Sequence, residues 1–298
     1  MNTGEDLRAP ALEQLLGGMD ASRFLAEHWL QRPLVRPGGA AALVSLASSQ
    51  KVERWVAEGQ CDLLCVRDGQ VVAIPSERSA ETARALLADG VSLALRHPNL
   101  HDAELASLGR ALAGELMGML NLHVYCTPAG RGSFGWHHDP EEVFIVQTAG
   151  RKRYVLRENT VRRWPVEGAL GGPAELARET SAAMEVELAA GDVLYIPAGW
   201  WHTTHAVELS LSVSVGLLLP SPLALLDFVR AELARDERWR QRLPGLGRAS
   251  TLDDAARMDA CRTALGELTR ALTAAVARPE LPLRFLASWW MAGLTRGR

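Results

Sequence analysis

Eight histidines occur among the 298 residues, and four of them fall in two short clusters. The first is Gly135-Trp136-His137-His138-Asp139-Pro140. The second ends Pro197-Ala198-Gly199-Trp200-Trp201-His202, with His205 three residues later. In an extended chain the side chains alternate, so a strand here puts His137 and Asp139 on one face, toward a barrel interior. His138 then points away and is the poorer ligand. A strand at 193–196 running into the Pro/Gly turn delivers His202 to the rim of the same interior. Two imidazoles and one carboxylate make a facial triad. It leaves three metal positions open for a bidentate co-substrate and O2, the pattern of a non-haem Fe(II) oxygenase site. His137, Asp139 and His202 are therefore the expected metal ligands and catalytic centre, with His205 as the alternative third ligand. Trp136, Trp200 and Trp201 flank the site, for packing or for substrate contact.

The elements that must position these residues change along the chain. Residues 1–120 read as mixed α/β. Asp20 caps a helix reaching about residue 30, residues 33–35 are extended and 70–74 form a strand. Helices follow at 81–87 and 101–119. From 121 to 217 short strand signals recur at 122–127, 143–148, 153–156, 184–188, 193–196 and 209–215. Turns such as Pro128-Ala129-Gly130, Ala149-Gly150 and Gly191-Asp192 separate them. This punctuation predicts a barrel or jelly roll, interrupted by a loop and short helix at 173–182. Helical patterns return at 223–233, 252–276 and 283–290, with breaks near Pro244-Gly245 and Pro279. The expected class is mainly β with helical additions: an N-terminal α/β segment, a β core and a C-terminal helical appendage. The domain reading is 1–218 for the catalytic unit and 219–298 for the helical region.

Composition narrows the function classes. A net charge of −3 offers no general attraction to nucleic acid or anionic membrane. The longest apolar stretch, 209–226, is broken by serines and prolines and is no membrane span. Residues 1–8 lack a basic start and an apolar run, so a cytoplasmic protein is expected. Cys61, Cys65, Cys126 and Cys261 are too scattered for a disulfide framework and read as small buried hydrophobes. The 32 basic residues comprise thirty arginines and two lysines, Lys51 and Lys152. A lysine kept in such a chain marks a place where Arg is a poor replacement.

The runs from His123 to Tyr154 and from Gly191 to His202 resemble the JmjC-type cupins, which are Fe(II)/2-oxoglutarate oxygenases on a double-stranded β-helix. The resemblance is closest to the bacterial cupin-like hydroxylases and the ribosomal-oxygenase branch. Phe24-Leu25-Ala26-Glu27-His28-Trp29 followed by Arg32-Pro33-Leu34-Val35 is similar to the start of that branch. The resemblance implies that Lys152 holds the distal carboxylate of 2-oxoglutarate and that Tyr125 helps. It also brings His123, where the branch usually has Asn, and Ser214 or Ser212 into the co-substrate region. Without the family, Arg151-Lys152-Arg153 reads as a charged hairpin tip. The physical demand is plain: a co-substrate chelated at its keto-acid end needs a buried cation for its far end.

The expected function is thus Fe(II)- and 2-oxoglutarate-dependent hydroxylation of an amino-acid side chain in a protein or peptide. The helical tail is similar to dimerisation helices and implies a homodimer; its own stripe of Met258, Cys261, Leu265, Leu268 and Leu272 could equally bury against the barrel. The competing readings are a metal-dependent cupin that does not use 2-oxoglutarate, which has no need of Lys152, a hydroxylase of a small molecule or modified nucleotide, and a non-catalytic scaffold.

Overall fold

The computed structural model describes residues 10–132, 134–164, 171–243 and 253–295. Residues 1–8, the Pro244-Gly245 break and Leu252 lie outside the described residues. Eleven strands are described: β1 (Leu34–Arg36), β2 (Asp62–Arg67), β3 (Gln70–Val72), β4 (Ser92–Arg96), β5 (Met119–Thr127), β6 (Glu142–Ala149), β7 (Lys152–Arg157), β8 (Ala183–Leu188), β9 (Val193–Ile196), β10 (Trp201–Ala206) and β11 (Ser210–Leu218). They form an eight-stranded sheet, β1-β9-β6-β11-β5-β4-β2-β3, and a three-stranded sheet, β10-β7-β8. All pairings are antiparallel. The two sheets form the expected double-stranded β-helix.

Alternation decides what each sheet face does. On β6, Phe144 and Val146 join a large core beneath the helices, while Val143 and Ile145 join a smaller core with Tyr154, Leu156 and Leu194. On β11 the sequence Ser-Leu-Ser-Val-Ser-Val sends Leu211, Val213 and Val215 into the large core. Ser210, Ser212 and Ser214 face the other way. The helix Ala21–Glu27, capped by Asp20 onto Arg23 N, docks through aromatics: Phe24 meets Tyr195 edge-on and Phe144 at a tilt, and Trp29, just past the helix, stacks on Phe144 and Tyr195. The Tyr195 hydroxyl donates to buried Glu142 and accepts from Leu30 N at 2.9 Å.

Several expected boundaries move. The helix expected at 101–119 runs Ala103–Leu116, and Met119 opens β5, because Met117 adopts a left-handed φ of 54° that ends the helix. The strand at 70–74 stops at Val72. Helices Ala11–Leu15 and Ser49–Glu58 and strands β2, β4 and β10 add to those expected. Lys51, without a role in the sequence, reaches Asp102 at 3.2 Å and Glu104 at 2.8 Å, bracing the residue that caps helix Ala103–Leu116. Residues fall into two compact units, Met1–Leu219 with Gly293–Arg298, and Pro220–Ala292. The second contains the helices Pro222–Leu233 and Asp254–Val276.

Candidate metal centre

The two histidine clusters are zipped together by backbone. His137 N donates to His202 O at 3.1 Å, His202 N donates to His137 O at 2.8 Å, and Gly199 N donates to Asp139 O at 2.8 Å. His137 makes this single bridge in an otherwise irregular segment, so the expected strand at 137–139 is not formed. A proline at 140 cannot donate to a ladder, and extended geometry survives only locally. That local alternation is sufficient. His137, Asp139 and His202 bring one ligand atom each to within 4.8 Å of one another.

Each imidazole is oriented by a carbonyl. His137 Nδ1 donates to Gly135 O at 2.8 Å, and His202 Nδ1 donates to Trp200 O at 3.1 Å. A carbonyl oxygen only accepts, so both protons sit on Nδ1 and both Nε2 lone pairs are left for a ligand. The His202 Nε2 lies 3.5 Å from Asp139 Oδ2, and the two rings are 4.2 Å apart between centroids. Burial, and then the neighbouring His137, push His202 down to about 4, which keeps it neutral and able to coordinate. These donors fit a divalent metal held on one face.

The pocket above them is lined by Tyr125, Phe134, Val143, Ile145, Lys152, Tyr154, Ile196, Thr204 and Ser214 besides the triad. Lys152 is 3% exposed. Its ammonium lies 5.7 Å from the Tyr125 ring, 5.8 Å from the Tyr154 ring and 3.4 Å from Thr127 Oγ1. It forms no ion pair with a carboxylate among the described residues, and burial pushes it down to about 8. Its neighbours behave as a hairpin tip should: Arg151 is exposed and paired with Glu208 and Glu187, and Arg153 is exposed. In the β7–β10 register His202 faces Leu156 and Lys152 faces Ala206. The cation therefore stands four residues along the strand from the His202 register, roughly 13 Å at ~3.3 Å per residue.

The other expected residues divide. Ser214 lines the pocket, and Ser212 sits opposite Tyr125 on the same face. Tyr125 lines it as well, and its hydroxyl is 3.1 Å from His123 Nδ1. His123 itself opens on a neighbouring cavity of about 310 Å³, with Arg96, His97, Asn121 and Glu141 in its wall. Burial and the neighbouring His97 push His123 down to about 4. His205 is exposed on the far face of β10 and is no part of the triad. His138 points away from the triad, fully buried against Trp201 at 4.6 Å. No disulfide joins Cys61, Cys65, Cys126 or Cys261, and the first three are buried. The sequence reading passed over Thr204, Tyr154 and Phe134. The first two were legible as the alternating partners of His202 and Lys152.

Comparison with known proteins adds the family. Residues 106–225 match the JmjC domain. The chain carries a JmjC domain. That JmjC domain includes every residue of the triad and the pocket. The chain is 29% identical over 212 residues to the ribosomal protein uL16 3-hydroxylase of Escherichia coli, covering 68% of this chain and 54% of that protein. It is 24% identical over 216 residues to the bifunctional lysine-specific demethylase and histidyl-hydroxylase NO66 of Drosophila persimilis, covering 67% of this chain and 31% of that protein. The match thus spans about half or less of these relatives' length. Among solved structures it is similar to YcfD, a ribosomal oxygenase from Escherichia coli, in complex with cobalt and 2-oxoglutarate. The TM-score is 0.60 at 25% identity, covering 90% of this chain and 70% of that one. No described helix is long and apolar enough to cross a membrane.

Proposed function

We propose that the chain is an Fe(II)- and 2-oxoglutarate-dependent oxygenase that hydroxylates an amino-acid side chain in a protein or peptide, releasing succinate and CO2. The observation that carries this is a buried ammonium, Lys152, without a carboxylate partner among the described residues, in the same pocket as a two-histidine, one-carboxylate triad. The bound iron, with 2-oxoglutarate, would supply O2 activation coupled to C–H hydroxylation. The chain's own residues do the rest. His137, Asp139 and His202 hold one face of the ion and leave the other open. Lys152 takes the far carboxylate of the co-substrate, and Tyr125 and Ser214 offer hydroxyls beside it. Val143, Ile145 and Ile196 give the pocket an apolar wall that excludes water. A cupin that dispenses with 2-oxoglutarate has no use for an unpaired buried cation, which disfavours that reading.

The relatives support a protein substrate, since their names describe a ribosomal-protein hydroxylase and a histidyl-hydroxylase. In this reading His123, whose Nδ1 lies 3.1 Å from the Tyr125 hydroxyl, belongs with the co-substrate residues, and the cavity beside it would receive such a side chain. The domain assignment is 1–218 for catalysis and 219–298 for dimerisation, in the cytoplasm. Exposed Met258 and Leu265 on helix Asp254–Val276 support the dimer. The deciding experiment is mass spectrometry of peptide and ribosomal-protein substrates. A gain of one oxygen that requires both Fe(II) and 2-oxoglutarate is expected, and loss of succinate formation in His137→Ala and Asp139→Ala. Wild-type succinate formation in those variants overturns the assignment.

A further inference from the structure

The residues beside the triad point the opposite way, and something grips them. His138 stands between His137 and Asp139, and Trp201 immediately precedes His202. Both are fully buried on the outer side of β7 and β10. Segments 158–164 and 171–182 contact that side. Glu179 accepts the Trp201 indole N–H at 2.9 Å. The same carboxylate accepts Thr160 N at 2.8 Å, Thr160 Oγ1 at 2.6 Å and Val161 N at 3.3 Å. Burial pushes the Glu179 carboxyl up, but these donors outweigh it and hold it below its ordinary value. Gly171, at φ +68°, packs on His138 and Trp201 together. A Cβ there would meet the Trp201 ring and come within 2.6 Å of His138 Nε2. Arg157, on β7 opposite Trp201, fixes the backbone of this segment by donating to Glu179 O at 2.6 Å and Ser181 O at 2.8 Å.

We propose that Glu179 and Gly171 form a clasp behind the metal centre that positions its ligands, so that Glu179 is a positioning residue for the iron site. The inference rests on the metal reading above. The physical reason is leverage. His137 and Asp139 lie in an irregular segment with one β-bridge, so few ladder bonds fix their direction. Pinning His138 and Trp201 from behind restricts the backbone that aims all three ligands. Partners that hydrogen-bond a ligand directly are worth about 10- to 100-fold in metal affinity, and a clasp that acts one residue away belongs at the lower end of that range.

The test measures Co(II) binding by visible absorption on the full chain without co-substrate, beside thermal unfolding. Glu179→Ala is expected to weaken Co(II) by about tenfold or more and to change the shape of the visible band at temperatures where the protein is fully folded. Trp201→Phe, which keeps an aromatic ring but removes the indole N–H and part of the volume packed against Gly171, is expected to weaken it less. Glu179→Gln, which keeps an acceptor oxygen, is expected to restore most of it. Lys51→Ala loosens a distant helix cap and serves as the stability control, with unchanged Co(II) affinity. Wild-type affinity and spectrum in both Trp201→Phe and Glu179→Ala overturn the clasp while leaving the metal site standing. If Glu179→Ala does not fold, wild-type affinity and spectrum in Trp201→Phe alone overturn it. A wild-type chain that takes up no Co(II) overturns both.

Discussion

At the scale of the residue, Lys152 sets stability against function. An ammonium buried without a counter-charge is costly to the protein when its ligand is absent. Lys152→Met is therefore expected to leave the melting temperature at pH 7 unchanged or higher, while weakening 2-oxoglutarate binding at least tenfold, read by calorimetry on the metal-loaded protein. The sign with pH follows from burial. The unfolded lysine keeps its proton to about 10.5 and the folded one only to about 8. The cost of the charge is thus full below pH 8 and fades above it, where 2-oxoglutarate binding should weaken too. Glu142 works the other way. Burial pushes it from 4.5 up to about 7, against the Tyr195 hydroxyl and Ala198 N, which draw it down. Between those values the folded state holds the extra proton, so this residue's contribution falls as pH rises through that window. Glu142→Gln should flatten it, and the melting-temperature gap in favour of the variant should widen from pH 5 to pH 8.

At the scale of the element, the β6–β7 turn decides which residue of Arg151-Lys152-Arg153 enters the pocket. Gly150 carries it with φ +65°, and a Cβ there would run into the Leu209 carbonyl. Gly150→Ala is expected to cost about 2 kcal/mol or more, measured by denaturant unfolding, and to weaken 2-oxoglutarate binding through the same displacement. The strands around this turn were legible because short runs rich in β-branched and aromatic residues, 143–146 and 193–196, are bounded by turn residues. The segment at 136–140 was not, since its period-2 spacing held while Pro140 and the single bridge kept it from becoming a strand. β10 was hidden for another reason. Trp201-His202-Thr203-Thr204-His205 has no apolar alternation to read, because its inner face is the polar site. Strands β2 and β4 were obscured because their apolar residues, Leu63-Leu64 and Leu93-Ala94-Leu95, are mostly good helix formers with no alternation to read. Lys152 inside and Arg151 outside could be argued from the family resemblance, whereas the clasp at Glu179 depends on long-range contacts that no local pattern announces.

At the scale of the whole molecule, the helical unit presents Leu223, Leu226, Met258 and Leu265, each more than half exposed. For a chain of 32.4 kDa, sedimentation velocity at micromolar concentration should give twice that mass, and Leu265→Arg should shift it to the single chain. A wild-type monomer under those conditions would remove the dimer from the assignment.

The reciprocal backbone pair between His137 and His202 has a consequence for which ion the protein carries. Two of the three ligands are joined to each other by the backbone itself, and their tautomers are set by carbonyls of the chain. Such a site gains little selectivity from folding around its ion. Any divalent cation that accepts imidazole and carboxylate can enter the same geometry, and copper, nickel or zinc would bind more tightly than iron. Choice of metal then passes from the protein to its surroundings: the occupant is whichever ion is most available when the chain is made. An inactive preparation need not be misfolded, and mild chelation followed by Fe(II) under reducing, oxygen-free conditions should bring it back without passing through the unfolded state.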